Sequence, residues 1–284
     1  MRKGVGFALL LFVGGMGLAG PSLAQGQAVN SSWVDIPVGI DGLNKDWQDV
    51  PLLTDKKSKA EYAFQNDGEN LYILFVFKER TSLSTLEVTG MNIYYTLDGK
   101  KKKGDGLHFA KRQVTASELV ASLESKGEVL TEERRAKILS QPGYIMYDGE
   151  LVKPPKKASL DPLPGHVDLP TFRGQSQQKV FYYEFRIPLE RFAQIGGLGA
   201  KPGQNVTLGF EWGGMTKEMI AKQMTQSAES STRASGRGTS IESALKEGDE
   251  SVDMAGGGGG GIRRNPLAVK HSFWVSVKLA GEGD

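Results

Sequence analysis

From residue 60 to residue 97 the chain alternates short apolar and aromatic runs with small polar breaks. Tight turns between β-strands leave this pattern. Leu71-Tyr72-Ile73-Leu74-Phe75-Val76-Phe77 is apolar on both faces, as a strand covered from both sides must be. Comparable runs predict strands near residues 60–65, 70–78, 90–97, 107–114, 143–153, 178–187, 205–212 and 268–279. They do not alternate with helices, so the predicted fold is all-β: an antiparallel two-sheet β-sandwich, jelly-roll or immunoglobulin-like, with a short helical insertion. Asp148-Gly149, central in Tyr144 to Val152, reads as a two-residue hairpin turn.

Successive strand residues point to opposite faces. Met91, Ile93, Tyr95 and Leu97 therefore share one face, as do Phe181, Tyr183, Phe185 and Ile187, and Phe273, Val275, Val277 and Leu279. These are the predicted core. The opposite parity collects Asn92, Tyr94, Tyr182, Glu184, Arg186 and Trp274. If their strands are neighbours, these six form one outward face of aromatic rings and polar groups, the predicted ligand-binding residues. Such a face suits a saccharide, whose C–H surface stacks on rings while its hydroxyls bond to charged groups. An ordinary wet sheet face with cross-strand pairs is the alternative. Trp47 reads as a plug for the sandwich edge, and Trp212 as either the end of a core strand or the opening of a rim pocket.

The helical insertion spans about residues 115–142. Thr115-Ala116-Ser117-Glu118 has capping-box spacing, with Leu119, Val120 and Leu123 as the apolar stripe. A second helix is predicted from Thr131 to about Ser140, ended by Pro142-Gly143. Pro154, Pro155, Pro162, Pro164 and Pro170 mark an extended loop. Met215, Met219, Ile220 and Met224 have helical spacing and read as a loose packing helix or a soft binding surface. The tract of about residues 225–264 ends in Gly256 to Gly261 and is too polar to offset its ordering entropy, so a flexible loop is expected.

Met1 to Ala24 reads as a cleaved signal peptide: Arg2 and Lys3, the apolar run Phe7 to Val13, then Ser22-Leu23-Ala24. Residues 25–284 are expected to form a single domain, periplasmic or extracellular, with no integral membrane span. Setting aside Arg2 and Lys3 leaves 33 basic against 33 acidic residues, which gives no general attraction for nucleic acid. The run Lys100 to Lys103 reads as a solvated turn. The chain has no cysteine, so thiolate metal sites and disulfides are excluded.

Catalytic patterns are sparse. His108, His166 and His271 lack metal-ligand spacing, and Gly174-Gln175-Ser176-Gln177-Gln178 lacks the second glycine of a nucleophile elbow. Glu184 and Glu211 both lie on predicted strands and form the one carboxylate pair that glycoside hydrolysis could use. No cofactor is expected. The residues leave room for structural calcium at Asp41, Asp46 or Asp98, although turn chemistry explains those positions more cheaply.

Ile40-Asp41-Gly42 with Trp47, Glu69-Asn70-Leu71-Tyr72-Ile73, Tyr183-Glu184-Phe185-Arg186-Ile187-Pro188-Leu189, and Val206 to Trp212 with a closing strand follow one another across residues 36–279. In these motifs the chain resembles the family-9 carbohydrate-binding modules and the wider DOMON-like superfamily of β-sandwiches. The resemblance implies an exported, non-catalytic module for a saccharide or a b-type haem. The helical insertion and the glycine-rich loop depart from that pattern. The first reading is a binder of a saccharide or other small molecule. The second is a haem b electron carrier, with Met91 or Met215 and His108 or His271 as axial candidates. The third is an envelope assembly protein that recruits a protein partner through residues 225–264.

Overall fold

Side chains of one parity that cannot face water need a second layer, and this chain supplies it by folding one sheet back on itself. The computed structural model describes residues 28–78, 80–125, 128–153, 163–164, 167–215 and 268–283. The expectations for the signal segment, His166, the Met219 to Met224 helix and the 225–264 loop lie outside these residues.

The strands are β1 (Val29–Asn30), β2 (Ser32–Trp33), β3 (Leu53–Thr54), β4 (Glu61–Asn66), β5 (Asn70–Phe77), β6 (Met91–Thr96), β7 (Gly106–Thr115), β8 (Gly143–Leu151), β9 (Thr171–Gln177), β10 (Val180–Pro188), β11 (Asn205–Gly213) and β12 (Lys270–Lys278). The helices are α1 (Arg80–Thr89), α2 (Ala116–Ser125) and α3 (Glu132–Leu139). The sheet order is β1-β12-β11-β6-β7-β8-β9-β10-β5-β4-β2, with β3 beside β4. Its two halves face each other, so that Phe75 of β5 meets Phe210 of β11 edge to face at 5.0 Å. The fold is thus an all-β sandwich, as the residue pattern predicts. Its core holds Met91, Ile93, Tyr95, Tyr183, Phe185, Ile187, Val275, Val277 and Leu279, with Phe181 and Phe273 packed against it. Leu97 departs from the predicted parity and is exposed, because β6 ends at Thr96.

Two pairings are parallel, β1 with β12 and β2 with β4. Both come from the short segment Val29 to Trp33, which reaches one layer with each half. Between them the Ser31 hydroxyl donates to the Asn66 side chain and accepts from the Ala280 N–H at 2.9 Å. This buried network closes the seam between the first and last strands of the sheet.

The hairpin predicted at Asp148-Gly149 is not formed. Both residues lie inside β8, opposite Ala110 and Phe109 of β7. Arg112 holds Asp148, with nitrogen–oxygen distances of 3.3 and 3.2 Å, and the Phe109 ring fills the place of a side chain at residue 149. The dipeptide serves tight packing here, not reversal of the chain. The capping box at α2 forms as predicted: the Glu118 N–H donates to the Thr115 hydroxyl at 3.2 Å and the Thr115 N–H to the Glu118 carboxylate at 2.7 Å. Thr131 caps α3. With Tyr144, the two helices build a separate small core of Ala116, Val120 and Ile138 at the tip of the β7–β8 ladder.

Candidate functional site

The six predicted binding residues divide between opposite sides of the sandwich. Asn92, Tyr94 and Trp274 lie on the outer face of β6, β11 and β12. Tyr182, Glu184 and Arg186 lie on the outer face of β10, which pairs with β5 and β9 in the other layer. The single face inferred from parity therefore does not exist, because β6 and β10 are not neighbours.

The β10 face is roofed. Residues from Val34 to Val50 cross it and make a second apolar cluster, in which Val38 and Trp47 pack on Ala63, Tyr72, Leu74 and Val76, with Tyr182 against them. Glu184 lies fully buried beneath this roof. One carboxylate oxygen accepts from the Asp41 N–H at 2.9 Å and the Gly42 N–H at 2.6 Å, and the other accepts from the Trp47 indole N–H at 2.8 Å. Gly42 is needed for this clasp. Its φ is +79°, and a Cβ there would sit 2.9 Å from the Gln175 backbone nitrogen. Burial raises the Glu184 pKa above the usual carboxylate value, against the lowering effect of its three donors. The Ile40-Asp41-Gly42 and Trp47 motif is thus a docking device for the roof, and Trp47 covers a sheet face instead of plugging an edge. Arg186 is likewise engaged, by Asp168 at 3.1 Å and by the Leu169 carbonyl at 3.3 Å.

The β6–β11–β12 face has another design. Tyr94, Gly209 and Trp274 form one cross-strand row. A Cβ on Gly209 would lie 2.6 Å from the six-membered ring of Trp274, so the indole rests on bare backbone there. The Trp274 and Tyr94 rings stack at 6.3 Å with 23° between their planes. Tyr94 is nearly covered, whereas Trp274 is half-buried, so Tyr94 backs the platform and Trp274 presents it. In the next row, Glu211 lies between Asn92 and Ser272. One Glu211 oxygen pairs with Lys103, and the other pairs with Lys270 at 3.1 Å. The Lys103 ammonium also stands 5.8 Å from the centre of the Tyr94 ring. Burial tends to raise the Glu211 pKa, but the two lysines outweigh it and hold the carboxyl below its usual value. Asn92 Oδ1 lies 2.8 Å from His108 Nδ1.

Sequence reasoning missed Gly209, Glu211, Lys103 and Lys270 as parts of this site. Parity along residues 205–213 places Gly209 and Glu211 on one face, a signal that could have found them. Lys103 carried no such signal, because it reaches the face by folding back from the turn between β6 and β7.

The other candidate pairings are held apart or engaged locally. Glu184 and Glu211 occupy opposite outer faces of a sandwich whose layers are about 10 Å apart, beyond the about 5 to 9.5 Å that glycoside hydrolysis uses. Met91 and His108 point to opposite sides of their sheet, and Met91 and His271 lie in register on either side of Trp212, which stacks on His271 at 5.0 Å. Met91 and His108 are thus kept apart by their sheet, and Met91 and His271 by Trp212. Asp41 pairs with Lys45, Asp46 accepts from the Gly39 N–H and Asp98 pairs with Lys100. Among the described residues, no group of three acidic, histidine or cysteine side chains could hold a metal. No helix of the described residues is long and apolar enough to cross a membrane. A cavity of about 610 Å³ opens at one end of the sandwich, between Asn70, Asp168, Pro188, Glu190 and Phe192.

No family model matches the chain, and no curated protein matches it. Two solved structures of a family-9 carbohydrate-binding module from Caldicellulosiruptor kristjanssonii are similar to it. The one in complex with glucose has 11% identity and a TM-score of 0.34 and covers 68% of this chain and 81% of its own. The one in complex with cellotriose has 12% identity and a TM-score of 0.35 and covers 68% of this chain and 80% of its own.

Proposed function

We propose that this chain is an exported, non-catalytic module that binds a saccharide on the outer face of β6, β11 and β12. The observation that carries the reading is the Trp274 indole laid across Gly209, backed by Tyr94 and bordered by Glu211, Lys103 and Lys270. A sugar ring stacks its C–H surface on such an indole, while the carboxylate and ammonium groups at the border bond to its hydroxyls. Export rests on the signal segment at Met1 to Ala24. The absence of chemistry rests on the separation of Glu184 from Glu211 and on the engagement of Glu184 in the roof.

A glycan array probed with the mature protein tests this. Binding to at least one glycan is expected, with a loss of about tenfold or more in Trp274→Ala. Tyr182→Phe, on the roofed face, leaves binding unchanged. Equal binding by Trp274→Ala and the unsubstituted protein would refute the site.

A further inference from the structure

The proposed platform carries an excess of positive charge that a neutral sugar does not need. Glu211 holds two ammonium groups side by side, one on each oxygen. Each lysine gives that carboxylate one of its three N–H donors and keeps the others for a further acceptor. Both remain open to solvent, with 45% of the Lys103 side chain and 53% of the Lys270 side chain exposed. Among the outward positions of β6, β11 and β12, Glu211 is the single acidic residue. The turn above the platform adds Lys101 and Lys102, which have no acidic partner among the described residues. Its other charges are balanced, Asp98 by Lys100 and Asp105 by Arg191. The chain as a whole is close to charge balance, so this surplus belongs to the face.

We propose that the platform selects acidic saccharides, with a uronate carboxylate bridging Lys103 and Lys270 while the sugar ring lies on Trp274. The inference rests on the saccharide reading above and names its ligand class. Its geometry is ordered: Glu211 fixes the two ammonium groups, Gly209 fixes the height of the indole, and Tyr94 fixes its tilt. A planar carboxylate meeting two fixed ammonium groups gains two charge-assisted hydrogen bonds. A neutral hydroxymethyl group at the same place accepts from one ammonium at a time and adds no attraction between opposite charges.

Calorimetric titration of the mature protein with a hexamer of galacturonic acid, with cellohexaose and with a six-nucleotide single-stranded DNA decides the matter. The expected result is that the uronate hexamer binds about three- to tenfold more tightly than cellohexaose. That preference shrinks at high salt and disappears in Lys270→Gln, which leaves Lys103 to pair with Glu211. Equal or tighter binding of cellohexaose, still lost in Trp274→Ala, would overturn the acidic preference and leave the saccharide reading standing. Binding of neither hexamer would overturn the acidic preference, and binding indifferent to Trp274→Ala would overturn the saccharide site itself. DNA bound as tightly as the uronate hexamer would overturn selection of sugar acids in favour of general polyanion capture.

Discussion

Glu184 and Glu211 are the same residue type on the outer faces of the two layers, and their surroundings push them in opposite directions. Glu184 is roofed by residues 34–50, fully buried, met by three N–H donors and raised in pKa. Glu211 lies under two exposed lysines and is lowered. Strand parity treats these residues alike, because it reports only that each points away from the core. What covers an outer face is decided by segments distant in sequence. Here residues 34–50 cover one face, while on the other Lys103 and Lys270 stay exposed beside the aromatic pair.

The largest expected effect is on the roofed side. Glu184→Ala leaves the Asp41, Gly42 and Trp47 donors without an acceptor in a dry site, and should cost about 3 to 5 kcal/mol in urea unfolding. Glu211→Ala removes only pairs with exposed lysines and should cost about 1 kcal/mol or less. Equal losses in the two variants would erase the difference between the faces.

Backbone substitutions sharpen the same contrast. Gly42→Ala places a side chain at φ +79° against the Gln175 backbone and should destabilise by about 1 to 3 kcal/mol. Gly209→Ala pushes the Trp274 ring off its seat, with a stability loss of about 1 kcal/mol or less, while saccharide binding falls several-fold. A Gly209→Ala protein with unchanged affinity would show that the indole does not need its flat floor.

The smallest effect is in pH dependence. Burial lowers the His108 pKa below the ordinary 6.5, with Glu150 opposing and Arg112 assisting. Burial lowers His271 as well, with Lys57 assisting and Asp55 opposing. Between the lowered values and 6.5 the unfolded chain binds more protons than the folded one, so the histidine contribution is full above pH 6.5 and is lost as pH falls through that window. Glu184 has the opposite sign, its contribution falling as pH rises from the ordinary carboxylate value through the raised one. Comparing unfolding at pH 7.5 and 5.5 for the unsubstituted protein and for His108→Gln/His271→Gln isolates the histidines. The unsubstituted protein should lose more stability on acidification than the double variant does, and an equal loss in both would contradict the assignment.

Much of the sandwich was legible in the chain. The eight longer predicted strands are present because each carries apolar residues of one parity that need a second layer, although β7 and β8 do so over part of their length, at Leu107 and Phe109 and at Tyr147 and Leu151. β9 escaped notice because its residues are mostly polar and Gly174 interrupts them, its place being fixed by pairing with β10. α1 escaped because Ser, Thr and Val dominate Arg80–Thr89, residues of modest helix propensity. Asp148-Gly149 misled for a physical reason, since a turn dipeptide also fits where Arg112 and Phe109 crowd a strand. The candidate site was half legible. Asn92, Tyr94 and Trp274 were visible in parity, but strand neighbourhood and the return of Lys103 are tertiary facts. The Ile40-Asp41-Gly42 motif was visible as a unit, yet its partner Glu184 lies more than a hundred residues downstream.

The four tryptophans allow the two faces to be compared in a single experiment. In a proton–nitrogen correlation spectrum titrated with the best-bound oligosaccharide, the Trp274 indole signal should shift progressively to saturation, while the Trp47 indole, held by Glu184, should stay in place. A saturable shift of Trp47 with Trp274 unmoved would contradict the account.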